Sequence, residues 1–234
     1  MTAEHEVTRV LAIRHGETAW NVDARIQGQI DIPLNPTGER QAQRLARVLA
    51  DEGIDAIYAS DLKRALATAQ AVGRACALPV VSDAGLRERG FGSFEGLSYA
   101  EISARWPADA ERWRRRDPTF GAPGGETLNR FYERSIATAT RLAALHPGGT
   151  IALVAHGGVM DCLYRAATRV ALDAPRSWQL ANTGINRLLY SPQGFTLVGW
   201  GDVHHLDDPF DERAGDEPAD VEPPARAIAT ERAA

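Results

Sequence analysis

Residues 10–18 read VLAIRHGET, an apolar run that stops abruptly at an arginine and a histidine. Such a run predicts a buried β-strand that places Arg14 and His15 at its carboxyl end. Open α/β sheets bind their ligands at that end of their strands. The pattern returns downstream, where the apolar residues 151–155 lead into His156. If the two strands are neighbours in a parallel sheet, two imidazoles and an arginine meet in one small pocket that suits an anion, with phosphate as the first candidate.

Strand-like and helix-like patterns alternate along most of the chain, which predicts βαβ units and a mainly parallel sheet. We expect strands at residues 8–14, 56–59, 78–82 and 150–155, and a closing hairpin at residues 185–191 and 195–200. We expect longer helices from Pro36 to about Gly53, from Asp61 to Cys76 with Ser60 as the cap, at residues 126–146 and at residues 158–168. The predicted fold class is a three-layer α/β domain over residues 1–206, with helices on both faces of the sheet.

Residues 84–126 interrupt this alternation with a concentration of glycine and proline. Two short helices, at residues 98–106 and 108–116, are expected within the stretch. A long irregular insertion in a compact domain is typical of a functional loop. We therefore expect residues 84–126 to form a lid over the pocket.

Charge is distributed unevenly between the body of the chain and its end. Residues 207–234 hold nine acidic and three basic residues, a formal charge of −6 in a chain whose total is −5, so the body is nearly neutral. The alanine- and proline-rich composition of this tail predicts disorder. The body has no basic stripe with interleaved aromatics, which argues against a nucleic-acid partner.

The composition also bears on the compartment. No apolar run is long enough to cross a bilayer, and the first residues lack the layout of a signal peptide. Cys76 and Cys162 lie in apolar helical patterns, which is typical of reduced thiols. We therefore expect a cytoplasmic protein with no membrane partner, and the surface pattern leaves its oligomeric state open.

Three motifs together carry a family resemblance. They are RHGET at residues 14–18, SDLKRA at residues 60–65 at a helix start, and AHGG at residues 155–158 after a later strand. In this order, over residues 7–206, they resemble the histidine phosphatase superfamily, also called phosphoglycerate mutase-like. The resemblance implies phosphoryl transfer through a phosphohistidine, with a small phosphorylated substrate and without a metal.

The resemblance also implies roles for single residues. His15 is then the nucleophile, Arg14 and Arg64 bind the phosphoryl group, and His156 binds it and stabilises the transition state. These roles suit the chemistry, because phosphoryl transfer is catalysed mainly by positioning and by preorganised positive charge. An arginine can also fork onto two phosphoryl oxygens, as a lysine cannot.

The proton donor and the loop amides are assigned in the same way. Glu88, within LRERGFGSFEG at residues 86–96, resembles the family's acid, and the same carboxylate would later deprotonate water. Asn21 and Gln27 resemble loop residues that donate hydrogen bonds to the phosphoryl group, although Gln27 is equally well read as an ordinary loop amide. His205, in the terminal motif, is expected to brace the pocket.

The acid loop favours a phosphatase over a mutase. Mutases of the family typically show tyrosine where this chain has Phe91, whereas residues 91–96 and 123–127 resemble the broad-specificity phosphatases. Against this, Arg114 and Arg115 lie roughly where mutases keep an arginine pair for the substrate carboxylate. We favour a solvated helix face for this pair, and the alternative is that it selects an acidic phosphoester.

The sequence thus predicts a metal-independent phosphomonoester hydrolase with no cofactor. The alternative is a cofactor-dependent phosphoglycerate mutase, which would need bisphosphoglycerate as a primer. A catalytically inactive phospho-ligand-binding module is disfavoured, because Arg14, His15, Arg64, Glu88 and His156 are all present. The natural substrate stays open among sugar phosphates, nucleotides and a cobamide-precursor phosphate.

Overall fold

A computed structural model describes residues 7–207, which contain one six-stranded sheet. Its strands are β1 (Thr8–Arg14), β2 (Ala56–Ala59), β3 (Val80–Ser82), β4 (Thr150–Ala155), β5 (Ile185–Ser191) and β6 (Gly194–Asp202). The spatial order is β3-β2-β4-β1-β5-β6; β3, β2, β4 and β1 are parallel, β5 is antiparallel to β1, and β6 is antiparallel to β5. The predicted mainly parallel α/β fold is confirmed. Apart from Asp207, the predicted tail lies outside the described residues.

The helices cover both faces of this sheet. They are α1 (Ala19–Val22), α2 (Pro36–Leu49), α3 (Lys63–Cys76), α4 (Tyr99–Arg105), α5 (Pro107–Arg114), α6 (Leu128–Ala143) and α7 (Gly157–Thr168). Short 3₁₀ turns lie at Ala84–Leu86, Gly92–Phe94 and His204–Leu206. Within the described residues, no helix is long and apolar enough to span a membrane.

The alternation of side chains along β1 builds the two cores. Val10 and Ala12 pack into a cluster with residues of α6 and α7, and Leu11 and Ile13 pack into a second cluster with residues of α2 and α3. Side chains of a strand point alternately to its two faces. An uninterrupted apolar run is therefore what a strand covered on both sides requires.

The register of the central pair fixes the site. β1 and β4 are hydrogen-bonded neighbours, with Arg14 opposite Ala155. The amide of His15 donates to the carbonyl of Ala155 at 3.0 Å, which extends the ladder by one residue. The two histidines that follow these strands therefore leave the sheet side by side, as the sequence predicted.

Local structure differs from expectation at three places. α1 lies in a stretch predicted as loop, where Thr18 and Asn21 form a capping box. β3 begins at Val80 rather than at Leu78, because Pro79 has no N–H to donate. α3 begins at Lys63 rather than at Asp61, and its N-cap has no side-chain hydrogen bond, so Ser60 is not the predicted cap.

The lid has a small core of its own. Its buried apolar residues form a cluster separate from the two that flank the sheet, comprising Phe94, Ile102, Ala110, Phe120 and Ala122. Aromatic rings tie its parts together, with Phe94 5.7 Å from both Trp106 and Trp113, centroid to centroid. The predicted irregular insertion is thus a packed layer rather than a loose loop.

Candidate active site

A pocket of about 170 Å³ opens at the carboxyl ends of β1 and β4. It is lined by Arg14, His15, Asn21, Arg25, Ile26, Gln27, Gly28, Arg64, Glu88, Phe91 and Gly157. The ring of His156 lies against that of His15, with centroids 5.2 Å apart. A larger groove, of about 420 Å³, runs along α6 and α7. It lacks a comparable convergence of histidine, arginine and carboxylate, so the smaller pocket is the candidate active site.

His15 is held as a neutral imidazole. Its Nδ1 lies 2.7 Å from the carbonyl oxygen of Gly16. Because that oxygen only accepts, Nδ1 carries the proton and Nε2 keeps a free lone pair. Burial, followed by the charges of Arg14 and Arg64, holds the pKa of His15 well below its ordinary value of 6.5. The imidazole is therefore neutral, and the lone pair of its Nε2 is able to attack phosphorus.

His156 stands at the start of α7, where it is the N-cap residue. Its Nε2 lies 2.8 Å from Oγ of Ser60, and this oxygen also accepts the amide proton of Leu62 at 3.3 Å. Ser60 then has its own proton to donate, and Nε2 is the acceptor within reach. This assignment puts the ring proton of His156 on Nδ1, which is buried with no partner among residues 7–207.

His156 therefore presents an N–H donor to the site. Burial, together with the charges of Arg64 and of His15, keeps its pKa well below 6.5 and the ring neutral. Ser60, interpreted from sequence as a helix cap, instead sets the tautomer of this histidine.

Two guanidinium groups, of the half-buried Arg14 and the buried Arg64, complete the positive side of the pocket. Arg14 donates through Nη1 to the carbonyl of Leu180, and Arg64 donates to the carbonyls of Ile30 at 2.9 Å and Gly28 at 2.8 Å. In both residues Nε is buried without a partner in the described part of the chain. A buried donor without a partner costs about 1–3 kcal/mol, so these groups suit an anion that accepts from them.

The two loop amides lie where the sequence placed them. The capping box uses Oδ1 of Asn21 to accept from the amide and hydroxyl of Thr18, at 3.0 and 3.1 Å. This leaves the Nδ2 group of Asn21 as the end that can donate into the pocket. Gln27 lines the pocket with a buried, unpartnered Oε1, and rotation of its amide by 180° would present the donor end instead.

Glu88 reaches the pocket from the lid and is anchored at its carboxylate. Oε1 accepts from the amide of Arg89 at 2.8 Å, and Oε2 accepts from the amide of Gly158 at 2.9 Å. A Cβ on Gly158 would lie 2.1 Å from Oε1 of Glu88. The second glycine after His156 therefore makes room for Glu88.

Arg114 and Arg115 are not brought to the pocket. Both pair with Glu111 on the outer face of the lid, at 2.7 and 2.5 Å, with side chains 60% and 73% exposed. The idea that they select an acidic substrate is therefore wrong for this geometry, and the solvated helix face is what the structure shows. Glu95, read as structural, accepts from the amides of Gln29 and Phe91.

Sequence reasoning missed several residues around the site. Arg25 lines the pocket, and its Nη1 donates to the carbonyl of Gly96 at 2.7 Å and to Oε2 of Glu101 at 3.3 Å. Its position between Asn21 and Gln27, in a loop already assigned to the site, was the available signal. Asn182 supports His15 by donating to its carbonyl oxygen at 2.8 Å. No sequence motif marked this asparagine.

The expected brace by His205 is present. This buried histidine has its Nε2 3.1 Å from Oγ1 of Thr183, whose amide donates to the carbonyl of Arg14 at 3.0 Å. His205 does not line the pocket. Its contact with Thr183 links it to the backbone of Arg14.

Comparisons with known proteins agree with this arrangement. The sequence profile of the histidine phosphatase superfamily (branch 1) matches residues 10–203. Phosphoglycerate mutase-like protein 4 of Arabidopsis thaliana is 37% identical over 207 residues, which cover 87% of this chain and 89% of the relative. A metal-independent phosphoserine phosphatase of the same plant is 35% identical, with coverage of 87% and 85%.

A solved structure shows the same fold. It is a mycobacterial glucosyl-3-phosphoglycerate phosphatase in complex with VO3, 33% identical in sequence, with a TM-score of 0.75. The alignment covers 82% of this chain and 98% of that protein.

Proposed function

Because the chain belongs to the histidine phosphatase superfamily, we propose that it hydrolyses small phosphomonoesters by passing the phosphoryl group from the ester to His15 and then to water. The observation that carries this proposal is the neutral His15 beside two guanidinium groups, each with a buried Nε that has no partner among the described residues. A phosphate monoester carries about −1.5 to −2 charges near neutral pH, so it supplies the acceptors that these donors need.

In the first step, Nε2 of His15 attacks phosphorus while the ester P–O bond breaks. The Glu88 carboxyl group gives its proton to the departing ester oxygen, so that an alcohol leaves instead of an alkoxide. Arg14, Arg64 and the Nδ1–H group of His156 donate to the phosphoryl oxygens. Such donors stabilise the charge that the transition state spreads over these oxygens.

In the second step, water attacks phosphorus as the N–P bond breaks. The Glu88 carboxylate takes one proton from this water, and inorganic phosphate leaves with neutral His15 restored. One water is consumed and one alcohol is released per turnover, and Glu88 ends in the protonated form in which it began. No step requires a metal, since Arg14 and Arg64 supply the positive charge.

One feature of the pocket favours hydrolysis over mutase activity. Phe91 lines the pocket beside Glu88 and has no hydroxyl with which to hold a second phosphorylated sugar acid. Its ring instead packs edge-on against Trp113, with centroids 5.6 Å apart. The relatives do not separate the two activities, because a phosphoglycerate mutase-like protein and phosphatases cover this chain to a similar extent.

For the substrate we propose a small phosphomonoester that also carries a carboxylate. Phosphoserine and glucosyl-3-phosphoglycerate, named for two relatives, both have a carboxylate near the ester. Arg25 is the pocket-lining residue suited to such a group, since its two hydrogen bonds both use Nη1. A pocket of about 170 Å³ fits a small metabolite of this class.

A labelling experiment tests the phosphohistidine. Brief exposure to phosphoserine or to p-nitrophenyl phosphate should give an acid-labile adduct of one phosphate by intact-mass measurement, and His15→Ala should abolish it. A panel of phosphomonoesters should show turnover that a chelator does not change. Mutase flux above hydrolysis, measured with and without bisphosphoglycerate, would reverse the assignment, and neither adduct nor turnover would favour a binding module.

A further inference from the structure

One arginine outside the pocket is tied to the loop that carries Glu88. Arg134, on α6, donates through Nη1 to the carbonyls of Gly85 and Arg87 at 2.9 and 3.0 Å. Through Nη2 it donates to the carbonyl of Glu88 at 3.2 Å. Three backbone carbonyls of the acid loop thus converge on one guanidinium group.

Glu126 closes this connection from the other side of the loop. Its carboxylate accepts from Nε and Nη2 of Arg134 at 2.9 and 2.7 Å, a two-point contact that fixes the plane of the guanidinium. The same carboxylate accepts from the amide of Gly90 at 2.9 Å, and the amide of Glu126 donates to the carbonyl of Gly90 at 2.7 Å. The pair therefore grips the backbone both before and after Glu88.

The ion pair of Arg134 and Glu126 is largely shielded from solvent, so its loss is expected to cost stability. The side chains of Arg134 and Glu126 are 24% and 20% exposed, and the face of Phe131 lies 5.2 Å from the guanidinium carbon. Truncation of either partner leaves a largely desolvated charge without its counterion. Lysine cannot replace the arginine, because its ammonium lacks the planar fork that reaches a carboxylate and three carbonyls together.

We propose that Arg134 is a positioning residue for proton transfer: its guanidinium, held by Glu126, fixes the backbone of Glu88 and thereby the place from which the carboxyl group delivers its proton. The inference rests on the proposed function, because it assumes that Glu88 is the acid. Arg134 does not line the pocket and is given no contact with the substrate.

Two further contacts also restrain Glu88. Its carbonyl oxygen also accepts from Nε2 of Gln29 at 3.2 Å, and its carboxylate is anchored to the first turn of α7. Loss of Arg134 would release the lid side of this span while α7 keeps the other. A displacement of about 1 Å at a reacting group costs about 10²-fold in rate.

The effect of this displacement on the rate depends on whether the leaving group of the substrate needs a proton. p-Nitrophenolate departs as a stable anion without a proton, whereas the alkoxide of phosphoserine needs one. The parameter kcat/KM reports the first irreversible step, which is transfer to His15. Arg134→Met should lower kcat/KM for the best alkyl ester of the panel by about 10²-fold. For p-nitrophenyl phosphate it should lower kcat/KM by less than about 10-fold.

Three further variants make the result decisive. Arg130→Met, at an exposed position on the same helix, should leave the alkyl-to-aryl ratio of kcat/KM unchanged. Arg134→Lys and Glu126→Gln should lower the ratio, and they answer the question if Arg134→Met does not fold. An unchanged ratio in the folded variants at both positions would overturn the proposal.

Glu88→Gln separates this inference from the proposed function. It should lower the ratio more than any Arg134 variant, because general acid catalysis contributes about 10²–10⁴-fold. If Glu88→Gln lowers the ratio and the Arg134 variants do not, the positioning role alone is wrong. If Glu88→Gln leaves the ratio unchanged, the assignment of the acid itself is wrong.

Discussion

Replacing Gly158 with alanine tests where the carboxylate of Glu88 sits. A Cβ at this position would lie 2.1 Å from Oε1 of Glu88 and 2.9 Å from the ring of Phe131. Ordinary van der Waals contact begins at 3.4 Å, so the carboxylate oxygen must retreat by about 1.3 Å, the difference between these distances. Displacement of a reacting group by about 1 Å costs about 10²-fold in rate. We therefore expect kcat/KM for an alkyl phosphate to fall about 10²-fold.

The same substitution should not weaken the helix that carries it. Gly158 lies in the first turn of α7, and alanine is a better helix former than glycine by about 1 kcal/mol. The contact with Phe131 works against this gain, so the midpoint of thermal unfolding should move little. A loss of activity in a protein that still unfolds at the normal temperature isolates the effect on Glu88.

The neighbouring glycine is the matched comparison. A Cβ on Gly157 would meet its nearest atom, Nε of Arg14, at 3.6 Å, which is ordinary contact. Gly157→Ala should therefore lose far less activity than Gly158→Ala when both are assayed on the same alkyl phosphate. Wild-type turnover by Gly158→Ala would refute the placement of Glu88 against α7.

Three more predictions follow from the site and the lid. Ser60→Ala removes the donor to Nε2 of His156, and the unsatisfied buried nitrogen should lower the free energy of unfolding by about 1–3 kcal/mol. One- and two-bond ¹⁵N NMR of the His156 ring should then show a mixture of tautomers. An unchanged Nδ1–H form would contradict the assignment. Because the pKa of His15 is lowered on folding, its contribution to stability is full above pH 6.5 and shrinks as the pH falls, by about 1.4 kcal/mol at pH 5.5; urea unfolding at pH 7.5 and 5.5 should show this loss, and His15→Gln should reduce it. Arg114→Ala and Arg115→Ala remove exposed ion pairs, so KM and stability should both stay near wild type; a rise in KM confined to carboxylate-bearing esters would restore their role in selectivity.

The central strands could be predicted because their sequence signal is local. Strands covered on both faces need continuous apolar runs, and β1 and β4 show such runs directly before their histidines. The start of α2 also depends on neighbouring residues, since Asn35 accepts from the amide of Gly38 and Pro36 takes the first helical position. In each case the residues that decide the structure are within five positions of one another.

The errors concern contacts that join distant parts of the chain. Ser60 has the residue type of a helix cap, but its hydroxyl serves a histidine 96 positions away. Gly158 belongs to a motif at the start of α7, but the group that needs the space beside it is Glu88, 70 positions earlier. Arg114 and Arg115 were matched to the site by their place in the chain, whereas the packing of the lid turns them to solvent.

The arginines that suit this pocket to an anion are oriented by backbone carbonyl oxygens of residues outside the sequence motifs. Arg64 gives both of its terminal nitrogens to the carbonyls of Gly28 and Ile30, and Arg14 gives one to the carbonyl of Leu180. These bonds hold each guanidinium group in place and leave Nε without a partner. With Nδ1–H of His156, the site then has three buried donors for the three equatorial oxygens that a phosphoryl group has in the transition state of its transfer. Positive charge alone would attract many anions, but a fixed set of three donors around a neutral nucleophile favours the phosphoryl group in transfer.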